Sequence, residues 1–167
     1  CAQPKIFGGF NNTFAYKNFD LNVNMIFTLG NDIYNGTRVT MEDMQGATNM
    51  FASTMNRWTP ENQNAPLPRA LRSKAVMRVS DQYVENGSYV RLKNLTIGYT
   101  LPSEWTKKIT INNLRFFVAA QNLFTITGYS GLDPEIGEIN NSPLYKGCDM
   151  GFYPQPRTFM FGLSLKL

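Results

Sequence analysis

The sequence contains no histidine among its 167 residues. This absence excludes catalytic triads with an imidazole base and most catalytic zinc sites, which use histidine ligands. The chain also lacks the run of about 18 to 20 consecutive apolar residues that a membrane-spanning helix needs, so a helical membrane protein is excluded. A β-barrel in a membrane is not excluded, because its strands alternate apolar and polar residues.

Cysteines are scarce too. The two cysteines, Cys1 and Cys148, match no metal-ligand spacing, and a disulfide between them has no support in the sequence. Cys1 is interpreted as a truncation point rather than a lipidated N-terminus, because strand-like sequence follows it almost at once. The sequence carries no signal peptide, so we expect the native start to be processed away or missing.

Charged residues make up 17% of the chain, whereas average globular proteins carry about 25%. Hydrophobic residues make up 43% and aromatic residues 13%, which argues against a disordered chain. The net charge of +4 permits an anionic partner. The densest basic stretch contains Arg69, Arg72, Lys74 and Arg78. It lies among prolines and lacks interleaved aromatic residues, so we predict a solvated loop and no nucleic-acid partner.

The acidic residues do not predict catalysis. Asp133, Glu135 and Glu138 cluster in one segment, but nothing around them signals the burial that would raise the pKa of a glycosidase acid. The carboxylates lack EF-hand spacing, and the glycines form no phosphate-binding pattern. We therefore predict no catalytic residue, no metal site and no cofactor, and a protein that is not an enzyme.

Five segments alternate apolar and polar residues with the period of two that is typical of a strand with one apolar face. These predicted strands cover residues 5–16, 19–31, 89–101, 112–124 and 157–167. The residues predicted to share the apolar face, which would face lipid in a membrane barrel, are Leu21, Val23, Met25, Phe27, Leu29, Leu114, Phe116, Val118, Phe159, Phe161, Leu163 and Leu165. One strand breaks the pattern, because Arg91 and Lys93 share the parity of Leu95.

The connections between the predicted strands are alternately short and long. Residues 32–86 and 125–156 form the long ones. Outer-membrane β-barrels have this rhythm, with short periplasmic turns and long outer loops, whereas a soluble sandwich has no reason to adopt it. Five strands cannot close a membrane barrel, because the smallest barrels have about eight. The chain is therefore either the end of a larger barrel or a soluble module such as a carbohydrate-binding β-sandwich.

The 32–86 connection contains one helix candidate, between Thr40 and Trp58. Thr40 is its predicted N-cap, acidic residues occupy its first turn, and Pro60 lies just beyond its end. Apolar residues such as Met44 recur at three- and four-residue spacing and would share one face. The rest of the connection is predicted to be mostly loop.

Several short segments resemble the C-terminal part of SusC/RagA-type TonB-dependent outer-membrane transporters, and they come in the order expected of that family. The most specific is the stretch GSYVRLKNLTIGYTLP at residues 87–102. The others are PKIFGGFNNT at 4–13, NRWTP at 56–60, AQNLF at 120–124 continuing to GLDPE at 131–135, and YPQPR at 153–157. The resemblance covers the whole chain.

This resemblance implies an all-β, antiparallel transmembrane barrel of about 22 strands with a plugged lumen, of which residues 1–167 would form about the last five strands. The plug and the earlier strands would be absent from this chain. It also implies import of oligosaccharides or peptides across the outer membrane of Bacteroidetes-type bacteria. The implied partners are a SusD-like surface lipoprotein, the TonB complex through the absent N-terminal part, and outer-membrane lipid. The final Leu167 departs from the aromatic residue that ends many such barrels.

Under this interpretation, Cys1 and both long connections lie outside the cell, whereas Lys17–Asn18, Trp105 and Leu167 lie on the periplasmic side. The 32–86 connection is then predicted to take part in substrate capture or in binding the lipoprotein. Loop aromatic rings would stack on a substrate, and arginines would donate hydrogen bonds to it. The candidate contact residues are Trp58, Arg69, Arg72, Tyr83, Tyr129, Tyr145 and Tyr153.

Overall fold

A five-stranded antiparallel sheet forms the main body of this computed structural model, which describes residues 1–44, 49–71, 80–106, 111–137 and 145–166. In spatial order, its strands are β1 (Ile6–Tyr16), β2 (Phe19–Leu29), β5 (Tyr89–Thr100), β6 (Asn113–Thr127) and β8 (Thr158–Lys166). All neighbouring strands are antiparallel. The five predicted strands are confirmed, with bounds that agree to within three residues.

A smaller sheet lies inside the connections. Its strands are β3 (Asp32–Asn35), β4 (Val84–Asn86) and β7 (Cys148–Asp149). Strand β3 pairs antiparallel with β4 and parallel with β7. The sequence predicts mostly loop here, because strands of four, three and two residues are too short to show an alternating pattern.

The helical segments are short, and the predicted helix between Thr40 and Trp58 is wrong in its position. The segments are the α-helices α1 (Gly36–Glu42) and α2 (Ser103–Thr106) and two 3-10 helices at Ala52–Asn56 and Asp81–Tyr83. Helix α1 begins earlier than predicted because the side chain of Asn35 accepts a hydrogen bond from the Arg38 N–H at 2.8 Å. It ends before Met44, whose φ is +54°. Residues 45–48 lie outside the described ranges.

None of the helices in the described parts of the chain has the length and hydropathy of a membrane span.

The strand register places the twelve predicted lipid-facing residues on one face of the large sheet, called here the apolar face. Met25, for example, lies opposite Phe10 on one side and Leu92 on the other. Val118 likewise lies opposite Phe161. Many of these side chains are exposed, including Phe161 at 79%. The structure confirms that these residues share one face of the sheet. Contact of this face with lipid remains a prediction.

The opposite face of the sheet, called here the polar face, carries mostly small and hydrogen-bonding residues, together with a few apolar ones such as Phe7, Ile26 and Phe117. Asn11 lies opposite Asn24, and the side chain of Asn22 donates a 2.9 Å hydrogen bond to the hydroxyl of Thr13. The sheet is therefore amphipathic in the sense expected of a barrel wall between lipid and an aqueous lumen.

A β-bulge at Lys93 explains the strand whose alternation fails. Asn94 pairs with Asn24 of β2, and the next β2 residue already pairs with Leu92. The extra residue reverses the parity of the first part of β5. Arg91 therefore lies on the polar face rather than among the apolar side chains.

The long connections leave the sheet at one end and the short ones at the other. At the short-connection end, the Thr100 N–H donates to the Asn18 carbonyl at 2.8 Å, and the Leu101 N–H donates to the Leu114 carbonyl at 2.8 Å. The segments 32–86 and 128–157 both lie at the opposite end. The predicted separation of long and short connections is therefore confirmed, whereas their orientation in a membrane is not tested by the fold.

Candidate functional site

The described parts of the long connections form a layer over one end of the sheet, called here the loop layer. It comprises residues 31–44, 49–71, 80–88, 128–137 and 145–156. Its core holds the most deeply buried apolar side chains described, such as Ile33 at 1% exposure and Leu67 at 3%. The loop layer is thus a packed structure with a core of its own.

Glu85 joins three segments of the loop layer. Its carboxylate accepts hydrogen bonds from the Ser130 N–H at 2.9 Å, the Ser130 hydroxyl at 2.8 Å and the Asn35 amide at 3.2 Å. Arg38 forms an ion pair with it at 3.4 Å. Burial pushes the pKa of Glu85 upward, but these donors outweigh burial and hold the pKa below its ordinary value.

Helix α1 is fixed to the rest of the loop layer by a second carboxylate. Glu42 is 3% exposed and accepts hydrogen bonds from Arg38 Nε at 3.1 Å and from the Ser53 hydroxyl at 2.8 Å. The guanidinium of Arg38 also lies 5.6 Å from the ring centroid of Tyr83. Arg38 therefore connects Glu42, Glu85 and Tyr83 at one point.

A third cluster connects the sheet to the loop layer through Arg91. This guanidinium is 2% exposed and donates to the Thr125 hydroxyl at 2.8 Å, to Asp133 and to Glu135, both at 2.5 Å. Lys93, at the bulge, pairs with the same Glu135 at 3.2 Å. Because of the bulge, Arg91 and Lys93 both lie on the side of the sheet where the loop layer packs.

Asp133 is held ionised in this cluster. Burial would raise the pKa of its carboxyl group, but the N–H groups of Gln155 and Glu135 and the Arg91 guanidinium together hold the pKa below its ordinary value. The Gln155 N–H donates at 2.9 Å and the Glu135 N–H at 2.8 Å. Asp133 thus links the 128–137 segment to the chain just before β8.

Tyr129 and Asp149 form a fourth contact across the loop layer. The Tyr129 hydroxyl donates to Asp149 at 2.6 Å, and the same carboxylate accepts from the N–H groups of Gly151 at 2.9 Å and Phe152 at 3.2 Å. Burial and the neighbouring carboxylate raise the pKa of Tyr129, so the hydroxyl stays a donor.

On the polar face, an ion pair crosses the middle strand. Arg115 of β6 donates to Asp20 of β2 through Nε at 2.9 Å and Nη2 at 2.5 Å. Gly98 of β5 lies between them, and a Cβ there would collide with both side chains. Because Gly98 has no side chain, the ion pair can span three strands.

Two cavities open where the loop layer meets the polar face. One, of about 440 Å³, is lined by Phe7, Thr28, Tyr89 and Lys146, among others. The other, of about 360 Å³, is lined by Arg91, by residues of β6 and by residues from both ends of the 128–157 connection. Pro134 lines both cavities, so the 133–135 segment separates them.

The predicted contact residues fall into two groups. Tyr83 and Tyr129 are 5% and 6% exposed. Each ring is packed in the loop-layer core, so contact of these two residues with substrate or lipoprotein stays a prediction and would need the core to open. Tyr145 and Tyr153 are exposed, the latter at 88%.

The remaining predicted contacts come from the 32–86 connection. Arg69 is exposed, and Trp58 is half-buried with its N–H bonded to the Leu67 carbonyl at 2.9 Å. Arg72 lies outside the described residues. Arg91 and the Asp133–Glu135 cluster stand out separately in the sequence, and only the structure shows that they interact. The break in alternation at Arg91 was the signal that could have done so.

We expect the loop layer to loosen in acid. The pKa values of Glu85 and Asp133 are lowered by folding, so their stabilising contribution is present above their ordinary values of 4.5 and 3.8 and is lost as pH falls through the folded values. Hydrogen exchange of residues 128–137 in the full-length protein, corrected for the intrinsic rate, should accelerate below about pH 4. Glu85→Gln should show weaker pH dependence. Protection that stays constant between pH 6 and pH 3 would contradict this explanation.

The chain is similar to several known proteins, although no protein-family model matches it. TonB-dependent receptor P3 of Formosa agariphila is 43% identical over 168 residues, covering 98% of this chain and 16% of the relative. TonB-dependent receptor SusC of Bacteroides thetaiotaomicron is 29% identical over 161 residues, covering 95% of this chain and 15% of the relative.

Among solved structures, a chain of the RagAB peptide transporter matches with a TM-score of 0.83 at 28% identity, covering 98% of this chain and 17% of that one. The chain therefore spans about one sixth of the length of the proteins it matches. These proteins are receptors and transporters rather than enzymes, in agreement with the prediction from the sequence. Over almost all of its length, the chain is thus homologous to one segment of the TonB-dependent receptors of the SusC/RagA family, which are outer-membrane β-barrel proteins.

Proposed function

We propose that residues 1–167 form the C-terminal part of the barrel of an outer-membrane TonB-dependent importer, with about five of 22 strands. The plug and the earlier strands belong to the rest of that polypeptide. The observation that carries this proposal is the 43% identity to a TonB-dependent receptor over 98% of the chain. The amphipathic sheet supports it, because a barrel wall needs one face for lipid and one for the lumen.

The proposed cargo is an oligosaccharide or a peptide, taken up together with a SusD-like surface lipoprotein and driven by the TonB complex. SusC and the RagAB peptide transporter are the relatives that support this part. The loop layer is the proposed surface for both cargo and lipoprotein, because it covers one end of the wall. Its candidate contacts are now Trp58, Arg69, Tyr145 and Tyr153, with Arg72 still proposed from the sequence.

The alternative, a soluble carbohydrate-binding β-sandwich, fits the structure poorly. A sandwich buries the apolar faces of two sheets against each other. In the described residues, the apolar face instead exposes large side chains across β1, β6 and β8, such as Phe10 at 58% and Leu163 at 55%. An exposed patch of this size marks a surface that is covered in the working protein.

The test uses the full-length protein in cells. Single cysteines at Asn62 and Glu104, in a background free of other cysteines, should differ in labelling by a membrane-impermeant maleimide. We expect strong labelling at Asn62, in the loop layer, and none at Glu104, in α2 at the opposite end of the sheet, until the outer membrane is permeabilised. The reverse pattern would invert the proposed orientation, and recovery of the protein without detergent in the soluble fraction would contradict a barrel.

Uptake is measured in the same cells. Deletion of the gene should abolish growth on one class of nutrient, glycan or peptide, and complementation should restore it. Co-purification of a surface lipoprotein with the full-length protein would support the proposed partner. Unchanged uptake of both classes in the deletion strain would contradict the importer.

A further inference from the structure

The 360 Å³ cavity between the polar face and the loop layer, called here the polar cavity, has an unusual set of hydrogen-bonding groups. The residues that matter are Arg91, Asn122, Thr125, Asp133, Gln155 and Arg157. They come from β5, from β6 and from the two ends of the 128–157 connection. The polar cavity therefore lies where cargo that passes the loop layer would meet the barrel wall.

The acidic group of the polar cavity is already satisfied. One oxygen of Asp133 accepts from Arg91 and from the Glu135 N–H, and the other accepts from the Gln155 N–H. Its charge is balanced by a buried guanidinium at 2.5 Å. Asp133 is thus not available to bind a cation or to repel an anion strongly.

The basic groups of the polar cavity are not fully used. Arg157 is exposed, and within the described residues it forms no salt bridge. The guanidinium of Arg91 has five N–H donors, of which the described contacts engage three. Arg91 and Arg157 both line the polar cavity together with the single carboxylate Asp133, so the lining residues carry a net positive charge.

Asn122 adds an acceptor next to this charge. Its amide nitrogen donates to the Pro156 carbonyl at 3.1 Å, which places the amide beside the residue that precedes Arg157. Its Oδ1 is buried and has no hydrogen-bond partner among the described residues. A buried acceptor without a partner costs free energy, which a donor supplied by a ligand would recover.

We propose that the polar cavity is a subsite for a carboxylate-bearing ligand. Arg157 would bind the carboxylate through charge-assisted hydrogen bonds, and Asn122 Oδ1 would accept from an O–H or N–H next to it. Two kinds of cargo carry this pair of groups, namely an acidic sugar and the C-terminal end of a peptide. The inference rests on the proposed importer and narrows its cargo to acidic molecules.

The test measures binding to the purified full-length protein in detergent by saturation-transfer NMR. The probes are galacturonate against galactose, and N-acetyl-dialanine with a free carboxylate against its C-terminal amide. We expect about tenfold tighter binding of the acid in one of the two pairs, and the pair that shows it identifies the kind of cargo.

Variants distinguish binding of the acid at the polar cavity from non-specific attraction to the positive charge of the protein. Arg157→Gln should remove the preference for the acid, whereas Arg157→Lys should keep part of it. Lys5→Gln is the control, because Lys5 is an exposed cation at the same end of the sheet that does not line the polar cavity, and this variant should change nothing. Equal binding of acid and neutral probe in both pairs, or equal losses in Arg157→Gln and Lys5→Gln, would overturn the proposal.

Because binding is measured on purified protein, its outcome is independent of transport. A failure of uptake in cells with intact acid binding would contradict the importer, and uptake without acid preference would contradict the subsite alone.

Discussion

Replacing Met25 with arginine in the full-length protein is expected to prevent most of the barrel from assembling, whereas Asn24→Arg should be tolerated. The two positions are adjacent in β2 but project to opposite faces. Met25 lies opposite Phe10 and Leu92 on the apolar face, and Asn24 lies opposite Asn94 on the polar face. A charge facing lipid near the bilayer midplane costs about 2–4 kcal/mol, whereas a lumen position tolerates one.

That cost is a large part of the stability of a folded protein, which is about 5–15 kcal/mol. The measurement is the fraction of each variant that reaches the outer membrane in folded form, judged by resistance to protease in intact cells. Met25→Leu serves as the volume-conserving control and should assemble normally. Similar assembly of Met25→Arg and Asn24→Arg would remove the assignment of the apolar face to lipid.

Arg91→Met is expected to be the most damaging single change near the loop layer. The substitution keeps most of the side-chain length but leaves Asp133 buried at 6% exposure without its cation. Breaking a buried ion pair by removing one partner costs about 3–5 kcal/mol, because the remaining charge is uncompensated. Glu135 would keep Lys93, so the damage should concentrate at Asp133.

The readout is protease sensitivity of the 128–137 segment together with thermal unfolding of the full-length protein. Lys93→Met is the matched control, because Lys93 is a third exposed and its ion pair with Glu135 is worth about 1 kcal/mol or less. Adding Asp133→Leu to Arg91→Met should recover part of the loss. A 128–137 segment that stays as protected in Arg91→Met as in Lys93→Met would show that this cluster does not hold the loop layer.

The strands of the large sheet could be predicted from the sequence because alternation is a local signal. In β2, every residue from Leu21 to Leu29 except Ile26 indicates by its polarity which face it lies on, and neighbouring strands need only agree in parity. The direction and grouping of the connections follow from the same signal, since antiparallel strands in sequence order return to alternate ends. Local alternation does not predict how the long connections fold.

The loop layer depends on contacts between residues far apart in the chain. Strand β7 pairs with Tyr34 and Asn35 across more than a hundred residues, and no period in the sequence marks that partnership. The same reason explains the two buried tyrosines. A tyrosine in a loop has the same sequence signal whether its ring lies in a core, as Tyr129 does, or in solvent, as Tyr153 does.

Helix prediction failed for a different reason. The apolar spacing from Met44 onward suits a helix, but spacing carries no information about where the backbone turns. Asn35 is the better N-cap, and the positive φ of Met44 interrupts the helical path before the apolar stripe begins. The N-cap at Asn35, the last residue of β3, therefore sets the position of the helix. The amphipathic pattern does not.

The bulge at Lys93 also constrains how the length of this chain changes during evolution. Loss of that one residue would transpose the side chains from Tyr89 to Leu92 between the two faces, placing Arg91 against lipid and Leu92 in the lumen. Insertion of one residue nearby would have the same effect. The long connections, by contrast, absorb added residues at a cost that rises only logarithmically. Insertions and deletions in homologous barrels should therefore accumulate in the loop layer, while β5 keeps a constant length.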